Sequence, residues 1–78
     1  MSEEKTAAGL VEFIAKGIVS DADAVKVHEV DGGSMLELET ADDDRGRVIG
    51  RQGRVAKAMR AVLGASRKGR DVRLDIVD

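Results

Sequence analysis

Two glycines three residues apart divide the second half of the chain into two helical segments. They are Gly50 and Gly53, in the stretch VIGRQGRVAKAMR that covers residues 48–60. Glycine adopts backbone angles that other residues resist, and its missing side chain lets another molecule approach the backbone closely. We therefore expect the chain to reverse sharply over residues 50–53, with a second helix beginning at that turn.

Helical periodicity accounts for three segments of the chain. Apolar residues recur every three or four positions from Ser2 to about Ile18, which predicts a first helix whose Phe13 and Ile14 fill the core. A short helix is expected over residues 45–49 and a longer one from Arg54 to about Ser66. The longer helix carries apolar residues at helical spacing, namely Val55, Met59, Val62 and Leu63.

Alternating apolar and polar residues predict three β-strands. Residues 25–30 and 35–40 are expected to form an antiparallel pair, because Asp-Gly-Gly-Ser at positions 31–34 is typical of a hairpin turn. Residues 72–76 predict the last strand. The acids that end the polar break at residues 41–44 are expected to cap the helix that follows.

The resulting order is α-β-β-α-α-β, which predicts an α+β fold with a three-stranded sheet packed against helices. The alternation in the last strand indicates that helices cover one face of the sheet and that the opposite face is open or shared with a partner. The 78 residues suffice for one domain, which spans residues 1–78. The sequence contains no cysteine, no signal peptide and no long apolar run. We therefore expect a soluble cytoplasmic protein that does not contact a membrane.

The basic residues concentrate in one part of the chain. Residues 45–70 contain nine of the 13 Lys and Arg residues and none of the 15 Asp and Glu residues. A solvated helix face usually mixes both signs, whereas segregation of this kind creates a local positive field on an acidic body. The charge pattern therefore favours a surface that faces an anion.

Several classes of site are excluded by the residues present. Phe13 is the only aromatic residue, so RRM and OB folds would lack their stacking platforms. Neither a Walker loop nor a Gly-x-Gly-x-x-Gly fingerprint occurs. His28 fits a solvent-facing strand position, and Asp42–Asp44 fits a cap or solvated loop better than a metal site. No set of catalytic groups can be assembled, so we expect a binding protein without a cofactor rather than an enzyme.

The glycine turn offers several groups to a phosphate at once. The first N–H groups of the second helix and the positive end of its dipole lie at the turn. Arg51 and Gln52 project from the turn, and Arg47 and Arg54 flank it. Guanidinium groups bind phosphate through paired hydrogen bonds. A Gly-x-x-Gly turn alone is, however, equally consistent with a simple break between helices.

The wider sequence resembles the KH domain of nucleic-acid-binding proteins. VIGRQG follows a β-β pair and precedes a basic amphipathic helix and a strand, and KH domains clamp about four nucleotides with a Gly-x-x-Gly loop. The helix-first order resembles the type II arrangement. Asp21-Ala-Asp23 and the run from Asp44 to Gly50 extend the resemblance to small bacterial single-KH proteins of the KhpA (YlqC-like) type, over nearly the whole chain. Ala22 stands where that family commonly has proline, a departure confined to a loop.

The resemblance implies a site for single-stranded RNA. Gly50 and Gly53 would form the clamp, and Arg51 and Gln52 would be its two variable residues against the sugar-phosphate backbone. A basic rim is implied at Arg47, Arg54, Lys57 and Arg60.

An apolar groove for splayed bases is also implied, with Val48 and Ile49 on its floor together with Leu36 or Leu38. Val48 and Ile49 have an alternative interpretation as core residues of the short helix. For Val48 the groove and core interpretations are equally good, whereas for Ile49 the core interpretation is favoured.

The resemblance further implies partner proteins and a cellular role. It implies a homodimer or a pair with a larger KH-containing protein of the Jag (KhpB) type. It also implies an RNA chaperone or post-transcriptional regulator linked in some bacteria to cell-wall synthesis and cell shape. Two alternatives remain open: a KH-like module for protein interaction and dimerisation, and a single-stranded DNA binder, since phosphates are common to both nucleic acids.

Overall fold

The predicted order of elements is confirmed by a computed structural model, which describes residues 6–66 and 71–77. The helices and strands follow one another as α1 (Ala7–Ile18), β1 (Lys26–Val30), β2 (Met35–Glu39), α2 (Arg45–Ile49), α3 (Arg54–Ala65) and β3 (Arg73–Ile76). Short 3₁₀ turns occupy four connections, at Ala22–Ala24, Asp31–Gly33, Asp42–Asp44 and Arg51–Gly53.

The sheet has β2 as its central strand. β1 pairs with β2 in antiparallel register, with Glu29 opposite Leu36, which confirms the predicted hairpin. β3 pairs with β2 in parallel register, with Leu74 opposite Leu36. A parallel pair requires a crossover connection, and here α2 and α3 provide it. The crossover carries both helices over one face of the sheet.

The helices and the sheet share one apolar core. The side chains of Leu36 and Leu38 are 1% and 0% exposed, as the alternation of β2 predicted. The buried members of the core are Val11, Ala15, Val25, Leu36, Leu38, Val48, Met59, Leu63 and Leu74. The opposite face of the sheet carries charged side chains such as Lys26, Glu37 and Arg73, so the parity of the strands predicted the two faces correctly.

Helix α1 begins with a side-chain cap. Thr6 has an extended backbone, and its Oγ1 accepts a hydrogen bond from the N–H of Gly9 at 2.9 Å. The predicted end near Ile18 is confirmed. Ser2 itself lies outside the described residues, but α1 begins at Ala7, after an extended Thr6, and not at Ser2 as predicted. Within the described ranges, no helix is both long enough and apolar enough to cross a membrane.

Two residues that the helical periodicity favoured for the core are exposed. Phe13 and Val62 are each 44% exposed. Phe13 lies two positions after the buried Val11, on the opposite side of α1, because successive residues turn by about 100°. Val62 precedes the buried Leu63 and lies about a quarter of a turn away from the core for the same reason. Ile14, by contrast, packs against the core as expected.

Candidate nucleic-acid interface

The glycine turn joins the end of α2 to the start of α3, as the sequence predicted. α2 ends at Ile49, and the N–H of Gly50 donates to the Gly46 carbonyl at 2.8 Å, which closes the helix. The N–H of Gly53 donates to the Gly50 carbonyl at 3.0 Å, so the turn is one tight 3₁₀ unit. The φ angles of Gly50 and Gly53 are 78° and 74°, which confirms the predicted need for unusual backbone angles.

The two glycines are required for different reasons. A Cβ on Gly50 would lie 2.5 Å from Cγ2 of Val55 and 2.8 Å from its backbone nitrogen, so there is no space for a side chain. A Cβ on Gly53 would meet nothing within 4 Å, so only the positive φ disfavours other residues there. Gln52 also has a positive φ, at 58°. Three positive-φ residues within four positions therefore produce the reversal.

No side chain caps the first turn of α3, which begins at this loop. Gly53 is the N-cap residue and offers no side-chain acceptor to the first N–H groups of the helix. The N–H of Arg54 donates to the Arg51 carbonyl, and no acidic residue lies in the first turn. The helix has 12 residues, and its dipole places partial positive charge at this end. The arrangement can hold an anion against the turn.

The predicted basic residues are exposed along α2, the turn and α3. Arg54 Nη2 donates to Oε1 of Gln52 at 3.4 Å, which keeps both side chains beside the turn. In the part of the chain that the structure describes, the side chains of Arg51 and Lys57 have no polar partner. The exposed set comprises Arg47, Arg51, Arg54, Lys57 and Arg60. All five predicted basic residues are therefore exposed, on three consecutive elements.

Arg60 differs from the other four basic residues because it contacts the edge of the sheet. Its Nε donates to the Leu74 carbonyl at 3.2 Å. The N–H group of Arg73 donates to the Ser34 carbonyl, and the N–H group of Val77, just after β3, donates to the Leu38 carbonyl. The backbone of Leu74 therefore faces away from β2. Arg60 thus covers the open edge of β3, a role that the sequence did not reveal.

The apolar part of the predicted site is smaller than the sequence suggested. Val48 is 0% exposed and belongs to the core, whereas Ile49 is 37% exposed. The sequence had favoured a core position for Ile49, so that prediction is wrong. Leu36 and Leu38 lie beneath the helices, so the expectation that either of them floors an open groove is wrong. A five-residue helix can direct only one side to the core, and Val48 occupies that side.

Asp44 does not cap α2, which corrects the sequence prediction. It precedes α2, but its side chain makes no cap hydrogen bond and is only 2% exposed. Oδ1 accepts a hydrogen bond from the N–H of Ser20, and Oδ2 accepts one from the N–H of Asp21, each at 3.0 Å. These backbone donors, with a contribution from the Arg47 guanidinium, hold the pKa of the Asp44 carboxyl below its usual value. Such a contact across more than 20 residues leaves no local pattern in the sequence.

An apolar surface lies where α1 packs beside α3. A crevice of about 260 Å³ between the two helices is lined by Ile14, Ile18, Arg54, Val55, Ala58, Met59 and Val62. Ile18 is 36% exposed at its margin, and Val62 is 44% exposed. We call this crevice, together with the exposed Phe13 of α1, the α1–α3 surface. The helical periodicity favoured Phe13, Ile14 and Val62 for the core and Arg54 for the basic rim, so the sequence did not predict this surface.

Comparison with known proteins identifies the family. The family model for the KH domain of KhpA/KhpB matches residues 8–76. The RNA-binding protein KhpA of Halalkalibacterium halodurans is 49% identical over 73 residues, which are 88% of this chain and 96% of that protein. KhpA of Borreliella burgdorferi is 42% identical over 73 residues, covering 88% and 89% of the two chains.

A third relative gives a similar match. The RNA-binding protein KhpA of Streptomyces coelicolor is 47% identical over 70 residues, which are 87% of each chain. No solved structure gives a match. The fold, the glycine turn and these similarities together show that the chain belongs to the KhpA/KhpB KH-domain family.

Proposed function

We propose that this protein binds single-stranded RNA and clamps about four nucleotides at the Gly50–Gly53 turn. The observation that carries the proposal is the turn itself, because it joins uncapped helix N–H groups to exposed basic side chains with no acid in the first turn of α3. The relatives named RNA-binding protein KhpA support RNA as the nucleic acid. The proposed function is binding, without a catalytic step or a cofactor.

Each part of the site has its own role in the proposal. Gly50 and Gly53 let the sugar-phosphate backbone approach the turn, and Arg51 and Gln52 contact it from the tip. Ile49 offers the exposed apolar surface beside the turn against which a base can rest. The remaining basic residues extend the rim, and the buried side chain of Val48 anchors α2, which carries Ile49, to the core. The rim consists of Arg47, Arg54, Lys57 and Arg60.

Phosphate contacts dominate such a site, so affinity falls as salt rises. For single strands the slope of log K against log salt concentration is about −0.7 for each phosphate neutralised. The site has few apolar and no aromatic groups for bases, since the only aromatic residue lies on α1. We therefore expect weak binding with little preference among RNA sequences.

The test is a fluorescence-anisotropy titration of a mixed-sequence single-stranded RNA pool at two salt concentrations. The variant Arg51→Asp with Gln52→Asp should lose binding and keep its circular dichroism spectrum, because the turn is exposed and Asp tolerates the positive φ at position 52. Lys26→Glu inverts an exposed charge on β1 and serves as the control that keeps binding.

Two results of this titration would contradict the proposal. Wild-type protein that ignores RNA at low salt would overturn the proposal and favour a module for protein interaction. A parallel titration with single-stranded DNA of the same sequences decides between the two nucleic acids, and tighter binding to DNA would overturn RNA as the ligand.

Because one site alone binds RNA weakly, we propose that two copies of the protein pair. We place the contact between copies at the α1–α3 surface, where Phe13, Ile18 and Val62 expose apolar side chains. Two linked sites gain effective concentration without any new contact to RNA. The same surface fits a larger KH-domain partner of the KhpB type, which the family resemblance supports.

The cellular part of the proposal rests on the family resemblance. On that basis we infer that the protein acts in the cytoplasm as an RNA chaperone or post-transcriptional regulator, together with a KH-domain partner. We also infer that this activity contributes to cell-wall homeostasis and cell shape. Pull-down of the tagged protein with its bound RNA from growing cells tests the assignment, and recovery of neither RNA nor a KH-domain partner would contradict it.

A further inference from the structure

Asp44 is the only buried charged side chain in the described ranges, and the RNA site as proposed does not use it. Burial of a carboxylate is costly unless hydrogen bonds satisfy both of its oxygens. Here the N–H groups of Ser20 and Asp21 satisfy one oxygen each at 3.0 Å. Asp44 therefore fastens the loop that follows α1 to the start of α2.

The same carboxylate faces a residue of the basic rim. Oδ1 of Asp44 lies 3.6 Å from Nη1 of Arg47, and the two residues are three positions apart. Nη1 of Arg47 also donates to Oγ of Ser20. Arg47 remains 57% exposed, so most of the side chain stays open to solvent while one end of the guanidinium is held.

A held guanidinium matters because arginine loses much conformational freedom when it binds. Ordering a long side chain on binding costs conformational entropy, and a group that is already oriented avoids part of that cost. Arg54 and Arg60 are oriented by neutral oxygens, on Gln52 and Leu74, whereas Arg47 is oriented by a buried charge and a hydroxyl.

We propose that Asp44 is a positioning residue for RNA binding: with Ser20, it holds Arg47 in the orientation that meets a phosphate beside the glycine turn. The proposal rests on the proposed function. Asp44 itself, buried and negative, does not contact the RNA.

A double-mutant cycle between Asp44 and Arg47 tests the proposal. Asp44→Asn removes the charge and one acceptor, and Arg47→Ala removes the group that Asp44 orients. We expect each change alone to weaken RNA binding roughly threefold to tenfold. In the Arg47→Ala background, Asp44→Asn should have no further effect, since the two act as a unit. A general loss of stability would instead weaken binding equally in both backgrounds, and that result would overturn the proposal.

Ser20→Ala provides a variant that keeps the fold even if Asp44→Asn does not. It removes the Oγ acceptor of Arg47 and leaves the backbone N–H bonds to Asp44 in place. We expect a twofold to threefold loss of RNA affinity that again disappears with Arg47→Ala. An unchanged affinity in Ser20→Ala and in a folded Asp44→Asn would overturn the proposal.

A measurement without RNA separates this proposal from the proposed function. In ¹⁵N NMR, the Nε–H of Arg47 should be ordered in the wild type and become mobile in Asp44→Asn and Ser20→Ala. Mobility that is already present in the wild type would overturn the positioning role. Loss of RNA binding in the Arg51 and Gln52 double-aspartate variant, with normal binding in Asp44→Asn, would preserve the proposed function and reject the positioning role alone.

Discussion

At the scale of single residues, Gly50 and Gly53 differ in both space and backbone angle, because Gly50 combines a φ of 78° with a ψ of 169° and Gly53 has φ and ψ of 74° and 16°. Gly53→Ala meets no neighbouring atom, so we expect it to lower the free energy of unfolding by only about 1–2 kcal/mol, the cost of a positive φ. Gly50→Ala adds overlap with Val55, and we expect a loss of about 3 kcal/mol or more. Urea unfolding followed by circular dichroism measures both changes. Equal losses would mean that Val55 moves aside without cost.

Asp44 gives a prediction about acid stability. Its pKa is lowered in the folded protein, chiefly by the N–H groups of Ser20 and Asp21, so the unfolded chain binds the proton more readily. The stability that it contributes is present above its ordinary pKa of about 3.9 and is lost as the pH falls through the lower folded pKa. Asp44→Asn should be less stable than the wild type at neutral pH. The difference between them should shrink on acidification below about pH 4.

Urea unfolding of the two proteins at several pH values measures this difference. Asp42→Asn is the matched control, because Asp42 is 92% exposed and lies two positions away. A difference between wild type and Asp44→Asn that stays constant from neutral to acidic pH would contradict the assignment.

At the scale of elements, α3 combines a buried face with a basic one. Met59 and Leu63 anchor it to the sheet, while Lys57 lies exposed on its other side. Lys57→Gln removes one charge, so it should weaken RNA binding uniformly across sequences and reduce the salt slope by about 0.7. Lys26→Gln on β1 is the matched control, and its slope should equal that of the wild type. A sequence-dependent loss in Lys57→Gln would mean that Lys57 contacts bases rather than phosphates.

The elements also show what the sequence could predict. Periodicity placed Leu36 and Leu38 inside and put α2, the turn and α3 in the correct order, because these features depend on residues close together in the chain. It favoured Ile49 over Val48 for the core, which is wrong, since two adjacent apolar residues on a short helix fit either orientation. The partners of Asp44 could not be predicted at all, because they depend on how α1 and α2 meet in three dimensions.

At the scale of the whole molecule, the sheet and the helices present different chemistry. The open face of the sheet mixes both charges, whereas the helical side presents the basic rim and the apolar α1–α3 surface. The α1–α3 crevice includes Arg54 of the basic rim, so a second copy leaves the glycine turn of each copy open only if it packs on Phe13, Ile18 and Val62 without covering Arg54. The pair would then carry two RNA sites, and a long RNA could engage both at once.

Val62→Glu tests this arrangement because it places a charge at the centre of the proposed contact. We expect sedimentation velocity to show a dimer for the wild type and a monomer for Val62→Glu. Affinity for a 30-nucleotide RNA should fall about tenfold or more, while affinity for a six-nucleotide RNA, which reaches one site only, should stay unchanged. Lys26→Glu adds an exposed acid on the open face of the sheet, away from both the basic rim and the α1–α3 surface, and should behave like the wild type. An equal loss with both RNA lengths would mean that Val62→Glu damages the RNA site itself, and a dimeric Val62→Glu would place the contact between copies on another surface.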